Sequence, residues 1–129
     1  MESIKLLIVD DEEEFASTLA ERLELRGFTS QSVSCGANAL EALASDFSPD
    51  VVLLDLKMPD MNGFEVLEEI KDKYPSIEVI MLTGHGAASG GQDSKKRGAF
   101  DYIMKPVDII ELAGKIKAAY QKKAFNRRP

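Results

Sequence analysis

Short apolar runs and helical patterns alternate along the whole chain, and few folds accommodate that rhythm. IKLLIV, from Ile4 to Val9, precedes a segment in which Phe15, Leu19 and Leu23 recur at four-residue spacing before Gly27 ends the helix. The pattern then repeats. Phe28 to Val33 leads to a helix from about Ala37 to Ala44, and Val51 to Leu54 to one from about Phe64 to Lys73. Ile77 to Leu82 leads to a weaker helix, and Phe100 to Met104 to one from about Asp108 to Lys122. Five predicted strands and five predicted helices at a spacing of roughly 25 residues imply parallel strands with right-handed crossovers, and hence helices on both sheet faces. IKLLIV, VVLLD and IEVIML are almost continuously apolar, as strands buried on both faces must be, whereas FTSQSV and FDYIMK carry polar residues and suit the edges. A doubly wound α/β sheet of order 2-1-3-4-5 meets these demands, with strand 1 where the winding reverses.

The chain has 129 residues, enough for one domain with a sizeable core and too few for two. A formal net charge of -6 repels nucleic-acid phosphates, so direct nucleic-acid binding is not expected. Its one cysteine, Cys35, cannot form an internal disulfide and reads as a small packing or turn residue. No export signal is evident, and apolar runs fall far short of the ~18 residues of a membrane span. The expectation is a soluble cytoplasmic protein without membrane partners.

In such a sheet, ligands bind beyond the carboxyl ends of the strands at the reversal. Asp10 and Asp11 end strand 1 and Asp55 ends strand 3. Three carboxylates drawn from distant segments repel one another unless a cation lies between them, and oxygen ligands of this kind suit Mg²⁺. Thr83, after IEVIML, offers a hydroxyl, and Lys105, after FDYIM, offers an ammonium to a phosphate oxygen. With metal and lysine neutralising the transferring group, a carboxylate can become an aspartyl phosphate, and Asp55 is the central candidate. Each residue also has a plainer use. Asp11 with Glu14 matches a capping box, Asp10 or Asp11 could cap the first helix, Lys105 could be a solvated charge and Thr83 a turn hydroxyl. The joint placement of all five at one sheet end favours chemistry.

LLIVDDEEEF, VVLLDLKMPDMNGFEVL, VIMLTGHG and GAFDYIMKP together resemble the receiver domain of bacterial two-component response regulators, from about Lys5 to Tyr120. The resemblance implies a flavodoxin-like (βα)5 domain over residues 1–122, with 123–129 a basic tail or the start of a linker. It also implies that Asp55 accepts a phosphoryl group from a sensor histidine kinase or phosphotransfer protein. Mg²⁺ would be held by Asp11, Asp55 and the main-chain carbonyl of Lys57, with Asp10 assisting through water. Thr83 and Lys105 would engage phosphoryl oxygens, and Tyr102 resembles the family's switch aromatic; its plainer role is a half-buried edge-strand ring. The same likeness implies a cis Lys105-Pro106 bond, and Pro59 and Gly63 as shapers of the loop after Asp55. The implied output is a domain or partner controlled through the face formed by helix 4, strand 5 and helix 5, with a phosphorylation-dependent homodimer as a further expected form. Apart from self-phosphorylation and autodephosphorylation, no enzymatic activity is implied.

Lys57 and His85 occupy variable positions flanking the site, where they either modulate hydrolytic water or are solvated loop residues. GAASGGQDSKKRG departs from the family's amphipathic fourth helix. Gly90 and Gly91 are adjacent, and Gln92 and Lys95 replace apolar anchors, so a short, frayed or mobile helix is expected. In the last helix, Asp108 with Glu111 matches a capping box, and Ile109, Leu112, Ile116 and Ala119 form a buried stripe. The core should end near Tyr120. KKAFNRRP beyond it is read as a fraying helix end with favourable cations, a linker start or, least, a nucleic-acid arm. Two rival functions are a phosphate-independent interaction module, which the intact acidic set opposes, and a phosphohydrolase. The latter wants an acid two residues after the nucleophile, where Lys57 stands.

Overall fold

A computed structural model describes residues 3–58, 60–84 and 93–126. Five parallel strands, β1 (Lys5–Val9), β2 (Thr29–Val33), β3 (Val51–Asp55), β4 (Glu78–Thr83) and β5 (Asp101–Met104), form one sheet in the order β2-β1-β3-β4-β5. The crossovers include α1 (Glu13–Leu25), α2 (Gly36–Leu43) and α3 (Gly63–Lys73), and a C-terminal helix runs from Ile109 to Asn126. The expected flavodoxin-like order is therefore the observed one.

Alternation along the central strands explains their unbroken apolar runs. Leu6, Ile8, Val51, Leu53, Ile80 and Leu82 face a cluster shared with α1 and the C-terminal helix. Their neighbours Leu7, Val9, Val52, Leu54, Val79 and Met81 face the other cluster, shared with α2 and α3. Successive side chains point to opposite faces, so a strand covered on both sides needs apolar residues at every position. Each fully buried side chain of this size stabilises the fold by about 2 kcal/mol. β2 and β5 are only partly covered, as their polar residues require.

Helix ends depart from expectation in two places. The Asp11–Glu14 capping box does not form: α1 starts at Glu13, and its flanking residue Glu12 makes no side-chain cap bond. Asp10 instead accepts the Glu12 backbone N–H at 2.9 Å, while Asp11 lines a neighbouring cavity. At the other end of the chain, the helix expected to stop near Lys122 continues through Asn126. Lys123 is buried rather than part of a fraying tail, and its Nζ lies 2.5 Å from Asp50 Oδ1. Asp50 Oδ2 also accepts the Lys5 backbone N–H, which ties the helix end to the start of β1. Sequence periodicity around a charged residue reads as solvent; burial here follows from a partner 73 positions away. Lys123→Met should keep the packing of the stem but leave Asp50 short of its cation. Stability should fall by about 1–2 kcal/mol, with faster amide exchange beyond Ala119, as urea unfolding and hydrogen exchange would show.

The start of the C-terminal helix follows the expected pattern in part: Asp108 Oδ1 accepts from the backbone N–H groups of Ile110 and Glu111, without a return bond from the Glu111 side chain among the described residues. Leu112, Ile116 and Ala119 are fully buried, while Ile109 is partly so. Between β4 and β5, residues 93–96 are helical. The expectation of a frayed helix there falls mainly on residues 85–92, outside the described residues.

Candidate functional site

Strand register brings the candidate residues together. Val9 pairs with Leu54, so Asp10 and Asp55 follow at the same level of adjacent strands. Asp55 pairs with Leu82, placing Thr83 one step further along β4, and Thr83 pairs with Met104, placing Lys105 one step beyond that. The carboxyl end of the sheet therefore carries Asp10, Asp11, Asp55, Thr83 and Lys105. Carboxylate oxygens of Asp10, Asp11 and Asp55 all lie within 4.8 Å of one another. Asp11 and Asp55 border a cavity of about 300 Å³ that Glu12, Leu56, Lys57, Gly84 and Lys105 also line, and Asp10 lies buried next to them.

The loop after Asp55 is shaped by close approach. Asn62 caps α3 by accepting from Glu65 N at 3.0 Å, and the Glu65 side chain returns a bond to Asn62 N–H, completing a capping box. Gly63 then passes so near the strand end that an added Cβ would lie 2.6 Å from the Asp55 carbonyl oxygen and 2.8 Å from Leu56 Cα. Both obstacles are backbone, so Gly63→Ala must push the loop away from α3. A loss of about 2 kcal/mol in urea unfolding, with weaker metal binding, is the expected result. Pro59 and His85 lie outside the described residues.

Electrostatics follow from burial. Asp10 is fully buried and Asp55 nearly so. Burial, then the Asp10 charge, pushes the Asp55 carboxyl up to about 6; Asp11 adds to the rise, while Lys105 and the Lys57 backbone N–H oppose it. Lys105 Nζ lies 2.8 Å from Asp10 Oδ2, 3.0 Å from Glu12 Oε1 and 3.6 Å from Asp55 Oδ1. Burial alone would lower the lysine, but Asp10 and Glu12, with Asp55 behind them, hold it above its ordinary value. The ammonium also sits 4.6 Å from the centre of the Phe15 ring.

The donor set fits a hard divalent cation. Asp10 Oδ2 is buried and, although close to Lys105, makes no contact of hydrogen-bond geometry among the described residues. An incompletely satisfied buried oxygen, two more carboxylates within reach and a raised Asp55 together describe a pocket with an excess of negative charge. The structure thus supports metal binding at Asp10, Asp11 and Asp55, beside the Lys57 segment.

Thr83 and Tyr102 take less obvious positions. Thr83 is fully buried, and its hydroxyl donates to the Ile103 carbonyl at 3.5 Å. Contact with a group on Asp55 would require that bond to be given up. Tyr102 is half-buried on β5 and packs against the cluster shared with α2 and α3. The Lys105-Pro106 bond is cis.

Sequence reasoning missed two residues. Glu12 is a second partner of Lys105, disguised by a run of three glutamates in which nothing marks the first. Asp60 accepts from the N–H groups of Gly36 and Ala37 at 3.1 and 3.0 Å. These bonds hold its carboxyl below the usual range and supply the cap that Cys35, the flanking residue of α2, does not provide. An acid between Pro59 and Asn62 was the available signal, but it looks like any turn residue.

Comparison with known proteins agrees with this geometry. The response regulator receiver domain family matches residues 6–117. The DNA-binding transcriptional regulator NtrC of Escherichia coli strain K12 is 38% identical over 112 residues, covering 87% of this chain and 24% of that protein. The photosynthetic apparatus regulatory protein RegA of Rhodobacter capsulatus is 34% identical over 113 residues, covering 88% and 61%. The chain thus spans about a quarter of NtrC and three-fifths of RegA. A receiver domain protein from Clostridium thermocellum superposes with a TM-score of 0.89 at 34% identity, covering 95% of this chain and 98% of that one. NtrX from Brucella abortus superposes with a TM-score of 0.91 at 29% identity, covering 97% and 29%. With sheet order, acidic pocket and family match in agreement, the chain belongs to the response regulator receiver domains.

Proposed function

We propose that this receiver accepts a phosphoryl group on Asp55 in a Mg²⁺-dependent reaction and passes the signal to an output domain or partner. The observation that carries the reading is the convergence of Asp11, Asp55 and Lys105 on one cavity, with the buried Asp10 carboxylate close to all three. A carboxylate oxygen of Asp55 attacks phosphorus in a phosphohistidine. The new O–P bond forms as the N–P bond breaks, and the electron pair leaves on the imidazole nitrogen, which takes up a proton. Mg²⁺, held by Asp10, Asp11, Asp55 and the Lys57 carbonyl, would supply charge neutralisation for the transferring oxygens. Lys105 supplies a second positive charge from the β5 side. The leaving nitrogen comes from a sensor histidine kinase or a phosphotransfer protein. No turnover of external substrates belongs to this reading, which is that of a phosphoacceptor.

The response is a local rearrangement. Thr83 gives up the Ile103 carbonyl to bind a phosphoryl oxygen, and Tyr102 on the adjoining strand repacks into the space vacated. That alters the surface around β5 and the C-terminal helix, where a linked output domain, a partner or a second copy would dock. Among the described residues no helix is long and apolar enough to cross a membrane, and we place the domain in the cytoplasm with its kinase.

The test is incubation with Mg²⁺ and a small phosphoryl donor, phosphoramidate, followed by intact-mass measurement and peptide mapping. Addition of one phosphoryl group, localised to Asp55 and dependent on Mg²⁺, is expected. No incorporation would overturn the assignment and leave a phosphate-independent interaction module as the reading; incorporation that persists unchanged in Asp55→Asn would overturn Asp55 as the acceptor.

A further inference from the structure

Lys105 sits where two spaces meet. Glu12, Gly84 and Lys105 line the acidic cavity and also a larger groove of about 590 Å³ on the other side, whose apolar wall includes Phe15, Leu19, Val107 and Ile109. The Glu12–Lys105 ion pair therefore forms part of the partition between them.

Three anions compete for this ammonium, and they are not equivalent. Asp10 is fully buried and anchored through its other oxygen by Glu12 N–H, so it cannot follow a moving cation. Asp55 lies 3.6 Å away, beyond hydrogen-bond range. Glu12 holds the ammonium at 3.0 Å with a side chain 66% exposed, and exposed ion pairs are the weakest kind. A phosphoryl group on Asp55 presents new anionic oxygens inside the cavity, and Lys105 must turn inward to meet them. The contact that yields is the exposed one.

Resting on the phosphoacceptor reading, we propose that Glu12 is a positioning residue, a latch that holds Lys105 toward the cavity rim and must release it before the phosphoryl group is neutralised. Its cost falls on the phosphorylated form alone, so the latch lowers resting affinity for the phosphoryl group and slows its acquisition. Glu12 makes no side-chain cap bond to α1, which leaves it open to substitution without loss of the helix start.

Two variants separate reach from charge. Glu12→Gln removes the anion; Glu12→Asp keeps it but withdraws the carboxylate by about 1.5 Å, beyond hydrogen-bond range of Nζ. Beryllofluoride, a stand-in for the tetrahedral phosphoryl group, is titrated into each protein with saturating Mg²⁺ by calorimetry. Phosphorylation by phosphoramidate is timed in parallel, and thermal unfolding checks that each variant is folded. If the latch operates, both variants bind beryllofluoride about fivefold more tightly and are phosphorylated correspondingly faster. Wild-type behaviour of Glu12→Asp beside a tightened Glu12→Gln would mean that charge alone matters and would overturn the latch, as would no change in either. Failure of the wild type and both variants to bind beryllofluoride or take up phosphate would instead remove the phosphoacceptor reading, and the latch with it.

Discussion

Asp55→Asn should abolish phosphoryl incorporation and, in metal-free buffer at pH 8, make the folded protein more stable by about 2–3 kcal/mol. The first effect removes the nucleophile. The second follows from linkage: Asp55 is raised in the folded state to about 6 from 3.8, chiefly by burial and the Asp10 charge. A group whose folded pKa exceeds its unfolded value contributes fully below the unfolded value. That contribution is lost as pH rises through the folded value. The wild type should therefore decline relative to Asp55→Asn between about pH 4 and 7, with the gap constant above. Urea unfolding across that range in the presence of EDTA reads the difference directly, since other titrating groups cancel between the two proteins. A parallel pair of stability curves would show that Asp55 is not under electrostatic strain, whatever the phosphorylation assay reports. Saturating Mg²⁺ should narrow the gap, because a cation bound at the carboxylates stabilises the wild type more than the variant.

Lys105→Met should cost about 3 kcal/mol without metal, and much of that should return with Mg²⁺. Methionine keeps an apolar side chain of similar length beside the Phe15 ring, over which the ammonium now sits, but leaves Asp10, fully buried, with no cation at 2.8 Å. The acidic pocket then holds its negative charge without compensation, so a divalent ion becomes more valuable to the fold and should bind more tightly than in the wild type. Phosphoryl transfer should nevertheless slow by about two orders of magnitude, since the charge that met the transferring oxygens from the β5 side is gone. Calorimetric Mg²⁺ titration, urea unfolding with and without metal, and phosphoramidate kinetics check the three parts. Mg²⁺ affinity that falls in Lys105→Met would contradict competition between lysine and metal for the same carboxylates.

Both predictions depend on residues visible in the chain from the outset, yet they were legible to different degrees. The central strands were readable because burial on both faces requires an apolar residue at every position, and the runs are too short for helices and alternate regularly with amphipathic helical segments. Asp10 and Asp55 followed, since a carboxylate at the end of such a strand has to emerge at the sheet edge. Glu12 was not readable, because the three glutamates at 12–14 have equivalent local surroundings. Lys123 was misjudged for the same reason: at the end of a helix a lysine normally faces water, and its burial depends on Asp50, which no local pattern connects to it. Gly63 carried a turn signal, but its intolerance of a Cβ comes from the Asp55 carbonyl eight positions earlier.

The amino-acid sequence alone determined the alternation of elements, which strands lie inside, the edge at which chemistry collects and the residue types available there. These are consequences of local periodicity and of the rule that parallel strands need covered faces. Only the tertiary structure decided which acid holds which cation, how far Lys105 stands from Asp55, where Thr83 points and how the last helix is anchored. Those are contests among charged and polar groups separated by tens of residues, and the winner is set by differences of an ångström in distance and by burial, neither of which spacing along a chain encodes.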